Sequence, residues 1–137
     1  MTTVLFACVH NAGRSQIAAA LFNALADPHK ARAISAGTDP AAHVHPEVVA
    51  MMRDRGIDVS GAVPQQLTDA LAQQAQWLIT MGCGDQCPVV PGARRNDWPI
   101  PDPKGQPDRV VAAIVADIEQ RVRALIAAEQ WQQPAAR

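Results

Sequence analysis

The stretch that most constrains this chain begins at its fourth residue. An apolar run, Val4 to Ala7, delivers Cys8 into the short segment Val9-His10-Asn11-Ala12-Gly13, and Arg14-Ser15 then open an alanine-rich helix. A strand that runs through a glycine-containing loop into a helix places the loop's backbone N–H groups at the helix N-terminus. There they have no intrahelical partner, and the helix dipole adds partial positive charge. A tetrahedral oxyanion fits such a cradle. Here a thiol sits at its base.

The residues of the cradle each have a chemical reading. The positive field of the helix start, with Arg14 beside it, favours thiolate over thiol, which makes Cys8 a nucleophile. Arg14 offers a planar fork matched to two oxygens of a phosphate-like group. Ser15 can donate a hydroxyl hydrogen bond to the Cys8 sulfur, and the Asn11 amide can set the loop's shape. A cysteine ending a core strand can also be a small buried hydrophobe, but Asn11, Gly13, Arg14 and Ser15 around it argue for chemistry.

Length and composition set outer limits. With 137 residues, 48% of them hydrophobic and 18% charged, the chain has the profile of one ordinary soluble domain. Twelve Lys and Arg stand against thirteen Asp and Glu, so no general attraction to nucleic acid or anionic lipid is expected. No apolar run approaches the roughly 20 residues that span a bilayer, and no leader pattern opens the chain, so a cytoplasmic location is expected. Three cysteines, Cys8, Cys83 and Cys87, are an odd number, which argues against a static disulfide scaffold.

Periodicity then predicts the elements in order. Thr2 to Ala7 reads as a buried strand, and Ser15 to Leu25 as a helix with Ile17, Leu21 and Leu25 on one face. Ala31 to Ser35 reads as a second strand, completing a βαβ unit. His43 and His45 fall in a loop and read as solvated rather than as metal ligands. Pro46 suits the first turn of a helix carrying Val48, Val49, Met51 and Met52 inward. Thr68 can cap a short helix to Gln74, and Trp77 to Met81 reads as a third buried strand.

Residues 82 to 107, rich in proline and glycine, should form a long loop with a short edge strand near Arg94 to Trp98. From Asp108 a final helix presents Val111, Ile114, Val115, Ile118, Val122, Leu125 and Ile126 as one stripe. The chain is expected to be one domain over residues 1–131, with a frayed tail over 132–137. The architecture expected is α/β: a small doubly wound parallel sheet of four strands flanked by helices. Ligands in such sheets bind at the carboxyl ends of the strands, which would bring Cys8 and Cys83 to one rim.

Cys83 and Cys87, four residues apart, are close enough to pair, and half of a zinc site is the other reading of that spacing. Three thiols also suggest a relay in which each attacks the one before and the last pair collects the oxidation. Asp102, in Trp98-Pro99-Ile100-Pro101-Asp102-Pro103, can be a general acid for a departing oxygen. It can equally be an aspartate in a proline-stiffened turn.

The Cys8-x5-Arg14-Ser15 loop carries the signature of the low-molecular-weight protein tyrosine phosphatase fold. Its form here, with His10-Asn11-Ala12-Gly13 and Gln16, resembles the arsenate reductases built on that fold. So do Ser35-Ala36-Gly37-Thr38, Thr80-Met81-Gly82-Cys83-Gly84-Asp85, Cys87-Pro88 and Trp98 with Asp102-Pro103, and the resemblance runs from residue 2 to about residue 126. It implies that Cys8 attacks arsenate while Arg14 and the backbone of Val9, His10, Asn11, Ala12 and Gly13 hold the oxyanion, with Ser15 beside the thiol. It further implies that Asp102 protonates the leaving oxygen, and that Cys83 and then Cys87 carry the oxidation to a disulfide that thioredoxin reduces. No metal or bound redox cofactor is implied, and a monomer is expected.

Two features set this chain apart within the resemblance. The gap between Cys83 and Cys87 is narrower than in well-known thioredoxin-coupled members, which leaves a low-molecular-weight thiol with a redoxin as an alternative donor. Some members bind potassium through a glutamate in the first helix, where this chain has Ala19. Two other functions share these residues. A phosphatase for aryl phosphates would use the same cradle, but its substrate ring is usually walled by tyrosines, and this chain has none. A non-enzymatic thiol sensor or arsenite-binding protein would need the cysteines but not Asp102.

Overall fold

The computed structural model describes residues 1–83 and 90–134. Four strands, β1 (Thr2–Cys8), β2 (Ala31–Gly37), β3 (Trp77–Thr80) and β4 (Arg94–Asp97), form one sheet in the order β2-β1-β3-β4. Every pairing is parallel. Among the described residues four helices accompany them: α1 (Arg14–Leu25), α2 (Pro46–Asp54), α3 (Asp69–Ala72) and α4 (Asp108–Glu129). The expected doubly wound α/β sheet is the observed fold.

Alternation along β1 divides the core between the two sheet faces. Val4, Phe6 and Cys8 pack with α1, α2 and α4, while Leu5 and Ala7 pack with Ala36, Ala72, Leu78 and Cys83 under α3. Both sets are buried because the central strand of a parallel sheet is covered on each side. The stripe on α4 is buried at Val111, Ile114, Val115, Ile118, Val122 and Ile126, with Leu125 at its margin. On α2 only Val48 and Met52 are fully buried. Val49 and Met51 flank them half-buried, a narrower inward face than expected.

The chain has two Phe and three Trp and no Tyr, and all five rings form one chain of contacts. Centroids stand 5.6 Å apart for Trp98 and Phe6, 6.1 Å for Phe6 and Phe22, 5.8 Å for Phe22 and Trp131, and 6.3 Å for Trp131 and Trp77. Such edge and tilted pairs add to the burial of the rings themselves. This row ties the start of the Asp102 loop, at Trp98, to the centre of the core. It also explains a departure at the other end.

Gln132 and Gln133, expected to fray, are held. Trp131 is buried between Phe22 and Trp77, its carbonyl accepts from Asp27 N–H at 2.8 Å, Gln132 bridges to Ala26, and Gln133 donates to the carbonyls of Ala24 and Ala26. Other boundaries differ as well: the helix expected to reach Gln74 ends at Ala72, and β1 runs one residue past Ala7 to Cys8. Strand β2 runs two residues beyond Ser35, pairing Ala36 and Gly37 with Ala7 and Cys8. Strand β3 ends at Thr80, although Met81 N–H still donates to Ala7 O at 2.8 Å. Among the described residues no helix is long and apolar enough to cross a membrane.

Candidate functional site

Strand β1 ends at the carboxyl rim with Cys8, buried and free. From there the chain turns through residues 9–13 into α1. Its carbonyls are all engaged outside the turn or by the first helical residues. Cys8 O accepts from Thr38 N–H, Val9 O from Asp39, His10 O from Ala41, Ala12 O from His45, and Gly13 O from Ile17, at 2.8–3.2 Å. Asn11 O accepts from Gln16 Nε2 at 3.1 Å. Because buried carbonyls are tied away in this manner, the N–H groups are what the loop has left to offer an oxyanion.

Asn11 is the pivot of the turn. It is fully buried with φ at 49°, a left-handed conformation that asparagine tolerates better than most residues. Its N–H donates to the Cys8 sulfur at 3.3 Å, and its side-chain Nδ2 donates to Ser15 Oγ at 2.7 Å. Ser15 Oγ lies 2.8 Å from Cys8 Sγ. A hydroxyl that already accepts from Asn11 has its own proton to give, so the Ser15 hydroxyl donates to the sulfur. The sulfur thus receives two hydrogen bonds.

Gly37 permits this arrangement. A Cβ there would stand 2.5 Å from Val9 O and 2.9 Å from Asn11 N. At the loop's far side, a Cβ on Gly13 would meet Pro103 Cγ at 2.9 Å and His45 Cδ2 at 3.3 Å. Pro103 therefore rests on the cradle, which brings its neighbour Asp102 to the same rim. Asp102 Oδ1 accepts from Lys104 N–H at 3.0 Å, an aspartate turn within an exposed loop.

Arg14 links three segments. Its Nη1 donates to Ile100 O at 3.2 Å, two residues before Asp102, and its guanidinium lies against Gly82, one residue before Cys83. Cys83 is buried and disulfide-bonded. Cys87, with Gly84, Asp85 and Pro88, lies outside the described residues. His10 is half-buried, its Nδ1 3.0 Å from Asp39 O. His43 is exposed, while His45 precedes α2 and is tied to the loop through its N–H.

The structure thus brings Cys8, Val9, His10, Asn11, Ala12, Gly13, Arg14 and Ser15 together, with Gly82-Cys83 and Asp102-Pro103 at the same rim. Sequence reasoning missed the roles of Gln16, Gln65, Gly37, Gly82 and Ile100. Gln16 stood within the motif without a role. Gln65 N–H and Ile100 O act through backbone atoms, which no residue type announces.

Residues 3–134 match the family described as low molecular weight phosphotyrosine protein phosphatase. Among solved structures, a Corynebacterium glutamicum thioredoxin-dependent arsenate reductase is 41% identical with a TM-score of 0.82. The alignment covers 95% of this chain but only 62% of that one, so this chain spans less than two thirds of its length. The glutaredoxin arsenate reductase of Synechocystis is 33% identical over 130 residues, 93% of this chain and 98% of that protein. A low molecular weight protein tyrosine phosphatase from T. tengcongensis shares the fold at 23% identity and a TM-score of 0.81, covering 93% of this chain and 99% of that one.

Proposed function

The chain belongs to the low molecular weight phosphotyrosine protein phosphatase family, and within it we propose that this protein is an arsenate reductase whose electrons pass through a relay of Cys8, Cys83 and Cys87. The Cys8 thiolate attacks arsenic(V), and Asp102 protonates the oxygen that leaves as water. Arg14 and the loop amides hold the remaining oxygens. Cys83 then attacks the Cys8 sulfur. A Cys8–Cys83 disulfide forms, the sulfur–arsenic bond breaks, and its electron pair leaves with arsenic as arsenite.

Cys87 next attacks Cys83, freeing the Cys8 thiolate and leaving Cys83–Cys87. An external dithiol takes up that oxidation, so two electrons enter for each arsenic reduced. The observation that carries this reading is the placing of two distinct cysteines, the free Cys8 and the disulfide-bonded Cys83, about one arginine. Arg14 leaves the loop that hydrogen-bonds the free Cys8 sulfur, and its guanidinium packs against Gly82, next to Cys83. A phosphatase has no use for the second thiol.

Thioredoxin is the donor proposed, supported by the 41% identical thioredoxin-dependent relative. A glutaredoxin donor is the second reading, because the Synechocystis relative carries that name. The proposed working form is a monomer in the cytoplasm. The test is a single turnover of the reduced protein with arsenate, followed by thiol counting and disulfide mapping. Loss of two thiols with a Cys83–Cys87 link and release of arsenite is the expected result. Three thiols still free after incubation, with no arsenite formed, would overturn the assignment.

A further inference from the structure

We propose that Gln16 is a positioning residue for the attacking thiol, acting on Cys8 through Asn11. The inference rests on reading Cys8 as the nucleophile, and it concerns how that sulfur comes to receive its two donors. Gln16 is buried in the first turn of α1. Its Nε2 stands 3.1 Å from Asn11 O and 3.2 Å from Asn11 Oδ1. Two acceptors meet there, so the group facing them is the amide NH2, and both of its protons are used.

The orientation of Asn11 follows from a backbone group. Gln65 N–H, which can only donate, lies 3.0 Å from Asn11 Oδ1. The oxygen of the Asn11 amide therefore faces Gln65 and Gln16, and its Nδ2 faces Ser15 Oγ. That donation occupies one of the two Ser15 lone pairs and leaves the Ser15 proton for Cys8 Sγ, 2.8 Å away. A single polarity thus runs from Gln16 and Gln65, through Asn11 and Ser15, to the sulfur.

Gln16 acts at two points on this path. By binding the Asn11 carbonyl it holds the left-handed turn, φ 49°, that aims the Asn11 N–H at the sulfur. By binding Asn11 Oδ1 it helps hold the side chain that orients Ser15. A residue that cannot donate at position 16 takes the side-chain donor from Asn11 O and leaves Asn11 Oδ1 with Gln65 N–H alone, a cost that a rearranged turn would relieve. Neither point requires Gln16 to touch the substrate.

The test uses the full-length reduced protein and needs no arsenate. Cys8 is alkylated with iodoacetamide across a range of pH and quantified by peptide mapping in wild type, Gln16→Met and Gln16→Glu. Gln16→Glu keeps the shape while replacing the two N–H donors by a carboxyl that offers at most one, and stands in should Gln16→Met fail to fold. The expected result is a Cys8 alkylation rate about tenfold lower at about pH 7 that converges on wild type near about pH 10, where every thiol ionises. In an Asn11→Ala background, Gln16→Met should lower the rate no further.

An unchanged rate at neutral pH overturns the proposal. So does a deficit that persists at high pH, which marks lost access to the sulfur, or a full second loss in the Asn11→Ala background. The function proposed above is judged separately by arsenite release. A protein that makes no arsenite can still show the Gln16 effect.

Discussion

Gly82 lies so close to Arg14 that a Cβ at position 82 would stand 2.4 Å from the arginine Nη1 and 3.2 Å from its Cζ. The glycine also has φ at 92°, a conformation L side chains rarely adopt. Gly82→Ala should therefore strain the turn before Cys83 and push the guanidinium out of place. Arg14 is the residue proposed to grip the oxyanion, so binding should suffer more than folding. We expect competitive inhibition by inorganic phosphate to weaken about tenfold or more, with Cys8 alkylation largely preserved. Unaltered phosphate inhibition would show that the guanidinium finds its place without the glycine.

Gly37→Ala makes a contrasting case. Its Cβ would meet Val9 O at 2.5 Å, Asn11 N at 2.9 Å and Asn11 Cβ at 3.0 Å. Two of the three are backbone atoms of the cradle itself, so no flexible side chain can move aside. The substitution should cost about 2 kcal/mol or more in stability, measured by urea unfolding, and slow Cys8 alkylation as well. A variant with wild-type stability and reactivity would mean that β2 can slide away from the loop.

These two glycines mark where reading the sequence stopped. The cradle from Cys8 to Ser15 is local, and its residue types state their chemistry within one turn of chain. The strands were visible where apolar runs met loop residues, and even the exposed edge strand at Arg94–Asp97 was found from its flanks. The end of β2 was missed because Ala36-Gly37 has turn composition, whereas here the glycine serves close packing of β2 on the loop. Contacts across 54 residues, from Gln65 to Asn11, and across 86, from Arg14 to Ile100, use backbone groups and leave no trace in residue type. The held tail follows from Trp131, whose burial depends on where Phe22 and Trp77 come to lie.

Asp97 offers a prediction in pH. Thr80, at the buried end of β3, donates its hydroxyl to the Asp97 carboxylate, and Arg95 adds a weaker bond. The Thr80 bond chiefly holds the carboxyl below its ordinary value of 3.8. A carboxyl depressed in the folded state contributes stability above its unfolded value, and that contribution is lost as pH falls through the folded one. The side chain is 68% exposed, so the effect is small. Asp97→Asn should lower Tm by about 1–2 °C at neutral pH, and the difference should shrink as pH falls below the ordinary carboxyl value of 3.8. A gap that widens in acid would contradict the assignment.

Cys87→Ala separates the steps of the proposed relay. Cys8 and Cys83 can still form their disulfide, but nothing within the chain can then release Cys8. The variant should yield about one arsenite per protein and then stop, with Cys8–Cys83 found by peptide mapping. Sustained turnover in the presence of thioredoxin would dispose of the internal third thiol.

Asp102 distinguishes an enzyme from a thiol sensor built on the same cysteines. Its neighbour Pro103 rests on Gly13, where a Cβ would meet Pro103 Cγ at 2.9 Å, so the aspartate is held at the edge of the cradle. The same loop is tied to Arg14 through Ile100 O. Asn in place of Asp keeps the size and can still accept from the Lys104 N–H, but it has no proton to give a departing oxygen. If Asp102 is the general acid, Asp102→Asn should lower kcat about 100-fold or more while leaving inhibition by phosphate within about twofold of wild type. The loss should fall on the first covalent step, so the rate of thiol disappearance in a single turnover should drop by the same factor. A sensor that merely clasps arsenite with its thiols has no leaving oxygen to protonate, and its binding would survive the substitution unchanged.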